Sequence, residues 1–302
     1  MHKRQFQIIA CAILLIGASA QSQTAAYQRA VRLAFVGVGQ FSISHRVEQE
    51  LARSFATRQS NDDLTFVVVD YDQVRSAARG VGYEGSLNMS VAEARNLGAA
   101  IGCDFFFIGD AQTVRRSPSE GPAYFESYAA IFLVSARTGR LAAWERPASR
   151  GASAQESESD LLANLNSEAT KHRFVIMIHR TIDAERAERI AAVAAPAEAM
   201  EVISDDTGDS KDVRAPRPYR RLKPPYPANA AALEVEAIVD VLVDIDARGE
   251  VARVEIARWA GYDLDQSVVG TIKQMHFFPA MRDGHAISMR VMLRYNFRRP
   301  PR

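Results

Sequence analysis

Three sets of residues have types and spacing that could carry catalytic or ligand chemistry. Gly37-Val38-Gly39-Gln40-Phe41-Ser42 sits between an apolar run and an amphipathic one, and Asp70 ends the next apolar run. That is the outline of a dinucleotide fold, where glycines let the backbone approach a pyrophosphate and an acid binds the ribose. The position of the third glycine holds Ser42, and Asp70 lies farther on than the usual ~20 residues. The segment therefore reads as a glycine-containing loop of an α/β module, with no cofactor. His172 and His179, seven apart, can share a helical face, while His276 and His285 flank a turn. Two ligands do not make a structural zinc site, so no metal is expected. Asp240, Asp244 and Asp246 could suggest acid–base work, but alternation places them on the solvated side of a strand. No Gly-x-Ser-x-Gly, Ser-x-x-Lys or His-Glu-x-x-His pattern occurs. The sequence reads as that of a non-catalytic protein.

Two further patterns suit binding. Arg214, Arg217, Arg220, Arg221 and Lys223 stand among Pro216, Pro218, Pro224 and Pro225. They read as a solvated, extended linker, or as a basic segment drawn to anionic lipid head groups or cell-wall polymer. Only Tyr219 interleaves them, which gives no stacking platform for nucleic acid. Near the end of the chain, Met289, Val291, Leu293, Tyr295 and Phe297 alternate with Arg290, Met292, Arg294, Asn296 and Arg298. Period two describes a strand with one packed face and one wet, cationic face.

The elements that must position these residues divide the chain. Over 302 residues the formal net charge is +1, so no polyelectrolyte field attracts nucleic acid. His2, Lys3 and Arg4 precede an apolar run over 8–18 and a small-x-small site, Ala18-Ser19-Ala20. Residues 1–20 thus read as an export signal cleaved after Ala20, the alternative being an uncleaved inner-membrane anchor. After cleavage Cys103 is the one cysteine left, a buried inert thiol. Residues 27–191 read as an α/β domain. Its strands are expected at 31–38, 64–70, 104–112, 124–135 and 141–144. Its helices are expected over 44–58, from Ser90 (a capping box with Glu93) to 101, and over 159–190. Residues 192–223 form a charged, Pro-containing linker, acidic first and basic later. Residues 224–299 form a small ββαβ unit, and the fold class is α+β, with a mixed sheet in the first domain.

The last unit carries a family resemblance. Pro225-Tyr226-Pro227-Ala228 opens it, and Val239, Val241, Val243 and Ile245 alternate along a strand. A turn at Ala247-Arg248-Gly249-Glu250, a helix from Leu264-Asp265, Phe278-Pro279-Ala280 and Asp283-Gly284 follow in order. This series resembles the TonB C-terminal domain. It departs from the family where Glu236-Ala237 replaces a usual Gly and where Lys223 replaces a frequent Gln. The resemblance implies that the last strand is a sheet edge on which a segment of a partner pairs. The edge residues are then Met289, Val291, Leu293, Arg294, Tyr295 and Phe297, with Lys223, Tyr226 and Pro227 in the loop before the domain.

The region before the linker is similar in pattern to the periplasmic domain of the curli-secretion lipoprotein, of the activators of penicillin-binding proteins and of the TolB N-terminal domain. The residues behind that likeness are Ile101-Gly102-Cys103-Asp104, Phe107-Ile108-Gly109-Asp110 and Thr138-Gly139. It implies an interaction or assembly module. Together these readings give a periplasmic protein that binds a peptide or protein partner, which could be an outer-membrane TonB-dependent receptor, in transport. The competing reading is an envelope assembly module acting through its N-terminal domain, with the C-terminal domain dimerising. The short apolar run and short linker also imply an adaptor rather than a full TonB motor arm.

Overall fold

Apolar runs without alternation make strands buried on both faces, and the N-terminal sheet is built from such runs. The computed structural model describes residues 30–39, 41–56, 64–194, 202–203 and 213–299. The export signal read at 1–20, and most of the acidic half of the linker, lie outside the described residues. β1 (Val31–Val38) is followed by α1 (Ser42–Ala56), β2 (Phe66–Val68), α2 (Tyr71–Gly80) and α3 (Val91–Ile101). Next come β3 (Phe105–Arg116), β4 (Tyr124–Ser135), β5 (Leu141–Glu145), β6 (Ala148–Gly151), α4 (Ala154–Leu165) and α5 (Glu168–Ala194). The order is β2-β1-β3-β4-β5, with β6 also on β4. β1 runs parallel to β2 and β3, and β3, β4 and β5 are antiparallel, which makes the expected mixed sheet.

One face of this sheet packs on α1, α4 and α5. Phe35 and Phe107 stack there at 5.0 Å, and Phe174 meets Phe107 edge-on at 5.3 Å. The capping box at α3 forms as read: Glu93 N–H donates to Ser90 Oγ at 3.1 Å, and Ser90 N–H donates to Glu93 Oε2 at 2.7 Å. Two features of its helices differ from the sequence reading. α2 was not expected, and Asp70 caps it, its Oδ1 accepting the N–H groups of Asp72 and Gln73 at 3.0 and 3.1 Å. The long final helix is two, α4 and α5, broken at Asn166-Ser167. Gly39 has φ +79°, and a Cβ there would stand 2.3 Å from Asp110 Oδ1. Its glycine serves close approach of the loop to β3.

The C-terminal part holds β7 (Val202–Ile203), β8 (Val213–Arg214), β9 (Arg217–Pro218), α6 (Ala228–Ala232), β10 (Ala237–Ile245) and β11 (Val251–Arg258). Then come α7 (Leu264–Ile272), β12 (Phe277–Phe278), β13 (Ala280–Arg282), β14 (His285–Ile287) and β15 (Met289–Phe297). The sheet order is β11-β10-β15-β7. Alternation along β10 puts Val239, Val241, Val243 and Ile245 wholly inside. The β10–β11 turn needs Gly249, since a Cβ there would lie 1.8 Å from the Phe277 carbonyl oxygen.

The basic run is not a free linker in the structure. β8 pairs with β13 and β9 with β12, so this stretch belongs to the C-terminal fold. Val213 is buried and Leu222 packs against the core. These two anchors, hidden in a Pro- and Arg-rich composition, hold the segment down.

The two parts are docked on each other. The second face of the N-terminal sheet, flanked by α2 and α3, receives the end of β11 and the loop after it. Trp259 is 1% exposed, lies 6.1 Å from the Phe132 ring and donates from Nε1 to the Gly139 carbonyl at 3.0 Å. Tyr262 meets Phe132 edge-on at 5.3 Å. The Asn88 amide acts as a strand substitute. Its Nδ2 donates to the carbonyls of Ile238 and Trp259 at 2.8 and 2.7 Å, and its Oδ1 accepts the Ile238 N–H at 2.9 Å. Gly261 has φ +72°, and a Cβ there would come within 2.2 Å of the Phe132 ring.

Candidate partner-binding edge

β10 pairs with β15 antiparallel over all nine residues, from Ala237 against Phe297 to Ile245 against Met289. Met289, Val291 and Phe297 turn inward, at 0, 9 and 8% exposed. Leu293 and Tyr295 are half-buried against the same core, and the Tyr295 hydroxyl lies 3.8 Å from Met275 Sδ. Burial raises the Tyr295 pKa, and the charge of Arg221 opposes that rise.

On the face read as wet and cationic, Arg290 and Arg294 are paired with carboxylates, while Arg294, Asn296 and Arg298 are exposed. Asp240 and Asp244 are buried, at 5 and 6% exposed, not solvated as the alternation suggested. They stand directly opposite Arg294 and Arg290 in the ladder. Arg294 donates to both oxygens of Asp240 at 2.7 and 3.0 Å. Arg290 grips Asp244 with Nε and with Nη2, the latter at 2.7 Å, and this pairing raises its pKa. Desolvated carboxylates of this kind need such forks. Arg258 of β11 approaches Asp240 from the other side at 3.6 Å. It also donates to the Asn88 carbonyl at 2.8 Å and lies 3.2 Å from Glu93. A charged ladder thus runs from β15 through β10 and β11 into the N-terminal part.

The outer side of β15 is not wholly bare. β7 pairs parallel with it, Val202 opposite Arg290 and Ile203 opposite Val291. From Leu293 to Phe297 no second strand lies beside β15 among the described residues. Of the loop residues, Tyr226 joins the strand: its ring lies 6.1 Å from Phe297, and its hydroxyl donates to the Val235 carbonyl at 2.5 Å. Pro227 stands at the N-cap of α6, and Lys223 is exposed. Glu234, near the site of the missing family glycine, takes φ +51°. Arg214, Arg217, Arg220 and Arg221 are exposed on and after β8 and β9.

Sequence reasoning missed Asn88, Trp259, β7 and the Asp–Arg pairs. The direct opposition of Asp240 and Asp244 with Arg294 and Arg290 was the available signal, since opposite charges across a ladder attract. Among the described residues no group of three His, Cys, Asp or Glu could hold a metal. Burial pushes the half-buried Cys103 thiol up to about 12, which keeps it protonated and unreactive.

Residues 223–298 match the family described as the Gram-negative bacterial TonB protein C-terminal. This part of the chain is a TonB C-terminal domain. Among solved structures the chain is similar to the TonB C-terminal domain of Pseudomonas aeruginosa, at 21% identity over 35% of this chain and 99% of that one, TM-score 0.27. It is also similar to the LpoB C-terminal domain from Salmonella enterica, at 15% identity over 39% and 81%, TM-score 0.27. A hypothetical protein from Chlamydia trachomatis is similar at 8% identity over 45% and 96%, TM-score 0.30. No curated protein matches the chain. TonB-type domains are non-enzymatic modules that interact with protein partners in the cell envelope.

Proposed function

We infer that this protein is a non-catalytic periplasmic adaptor that captures an extended segment of an envelope protein along β15. The observation that carries this reading is the combination of a strand paired along its whole length with β10 and an outer side that, among the described residues, has no strand from Leu293 to Phe297. Such an edge offers main-chain donors and acceptors at a fixed spacing, and the added strand gains affinity from them while side chains set selectivity. A TonB-dependent outer-membrane receptor is the partner this domain type suggests, and transport the process. β7 occupies the Arg290–Val291 end, so an incoming segment either extends from Leu293 onward or displaces β7.

The test is a backbone substitution. Leu293→Pro disturbs the ladder at the open stretch, because proline has no N–H and its ring crowds the neighbouring strand. The expected result is loss of partner co-purification by a variant whose circular dichroism is unchanged. Undiminished binding by a folded Leu293→Pro variant refutes capture at this edge.

A further inference from the structure

The basic segment has a surface that the β15 reading does not use. Arg214, Arg217, Arg220, Arg221 and Lys223 are all exposed, and none makes an ion pair among the described residues. This sets them apart from Arg140, Arg258, Arg290, Arg294 and Arg299, each of which holds a carboxylate. The fold therefore does not need these five charges for its own electrostatics.

Two aromatic rings stand among them. β9 pairs with β12, setting Arg217 opposite Phe278, and Tyr219 N–H donates to the His276 carbonyl at 2.9 Å. The Tyr219 and Phe278 rings meet at 4.2 Å, yet the residues are 60 and 57% exposed. Alternation explains the orientation: Phe277 turns into the core at 1% exposed, which turns Phe278 out. Val213 and Leu222 anchor the segment on either side, so the rings and arginines sit on a fixed surface. Two acids near them among the described residues are engaged. Glu250 lies 3.1 Å from His276 Nδ1, and Asp246 accepts the N–H groups of Arg248 and Glu250.

We propose that Arg217, Tyr219, Arg220, Arg221 and Phe278 form a docking surface for an anionic phospholipid bilayer. Phosphate groups satisfy the guanidinium forks. The head-group boundary takes the two rings, an apolar body with a polar tip in Tyr219 and a wholly apolar one in Phe278. A soluble or cell-wall polyanion would use the arginines and leave Phe278 without an apolar phase, so the exposed ring pair favours the bilayer.

The experiment is co-sedimentation of the full chain with phosphatidylcholine vesicles, with and without phosphatidylglycerol. The apolar stretch at 8–18 can enter either kind of vesicle, so the readout is the anionic preference, compared between variants. The wild type is expected to prefer anionic vesicles, less so as salt rises. Each basic residue near such a surface contributes about fivefold in partitioning. Arg217→Glu/Arg220→Glu/Arg221→Glu is then expected to lower anionic binding by about a hundredfold or more. Tyr219→Ser/Phe278→Ser is expected to weaken vesicle binding while leaving retention on a heparin column unchanged. All five side chains are exposed, and unchanged melting temperatures confirm folding. Equal partitioning of the wild type into both vesicles overturns the proposal, as does an anionic preference that survives the triple reversal. If the ring variant binds vesicles as well as the wild type, and isolated sacculi capture the protein through the arginines alone, the partner is cell-wall polymer and the bilayer assignment is wrong.

Discussion

Asn88→Ala tests whether the TonB-type domain is held on the N-terminal domain in solution. The side chain makes three hydrogen bonds across the boundary, two to the backbone of Ile238 and one to the Trp259 carbonyl. Each is worth about 0.5–1.5 kcal/mol net, and a backbone group left buried without a partner costs somewhat more. The substitution is expected to cost about 2–4 kcal/mol. For a protein of this size 1 kcal/mol moves Tm by roughly 2–4 °C, so the fall is on the order of 5–15 °C. Trp259, Tyr262 and the Arg140–Glu255 pair at 3.1 Å still bridge the two parts, so undocking is incomplete. The assay is differential scanning calorimetry. One cooperative transition is expected in the wild type, and a lower, broader or split transition in Asn88→Ala. A variant that melts as one transition within 1 °C or so of the wild type, against that roughly 5–15 °C expectation, refutes the docked arrangement.

Other outcomes follow from single residues. Asp265 accepts the N–H groups of Ala260 and Gly261 at 2.9 and 2.7 Å, yet burial raises its pKa to about 6. The folded state therefore holds a proton that the unfolded chain releases near pH 4, and this group's contribution to stability falls as pH rises from about 4 to 6. The stability of the wild type relative to Asp265→Asn should drop through that window, by about 2–3 kcal/mol, and a difference constant from pH 4 to 7 refutes the assignment. Arg294→Glu faces Asp240 with a second carboxylate. With Arg294 itself largely exposed and Arg258 still near, urea titration should show a loss of about 1–3 kcal/mol, and no loss would show that the pair is not formed. Val202→Pro/Ile203→Pro frees the end of β15. Two lost ladder positions correspond to about 1–2 kcal/mol, so hydrogen exchange of the outward amides near Val291 should quicken by roughly 5–30-fold. Unchanged exchange would mean that β7 does not shield the edge.

The C-terminal domain was largely legible because its strands alternate. Val239 to Ile245 and Met289 to Phe297 show period two with few interruptions, and β10 and β15 form where that pattern lies. The helix after Leu264-Asp265 also forms, though it ends at Ile272 rather than near Met275. Local signals failed where a residue had two possible uses. Asp70 was weighed only as a ribose contact and set aside, but a carboxylate there also caps a helix, and α2 follows it. Arg214 to Lys223 looked like linker by composition, whereas two apolar side chains suffice to dock it. The arrangement of the edge was least legible. β7 reaches β15 from some ninety residues upstream, and Asn88 meets Ile238 across 150 positions. No local pattern encodes such contacts, because shape at long range selects them.

Capture of a partner segment on β15 is tested most directly by photo-crosslinking at single positions along the strand. A photoreactive residue is placed in turn at Leu293, Arg294, Tyr295 and Asn296, with Ile190 on the exposed face of α5 as the control. The crosslinked peptides are then mapped by mass spectrometry in envelopes from living cells. Strand addition predicts that all β15 positions reach one short segment of one partner, and that the attachment point moves along it in step with the position on β15. Crosslinks scattered over several partners, attachment points that do not move in register, or equal capture at Ile190 would contradict strand addition at this edge.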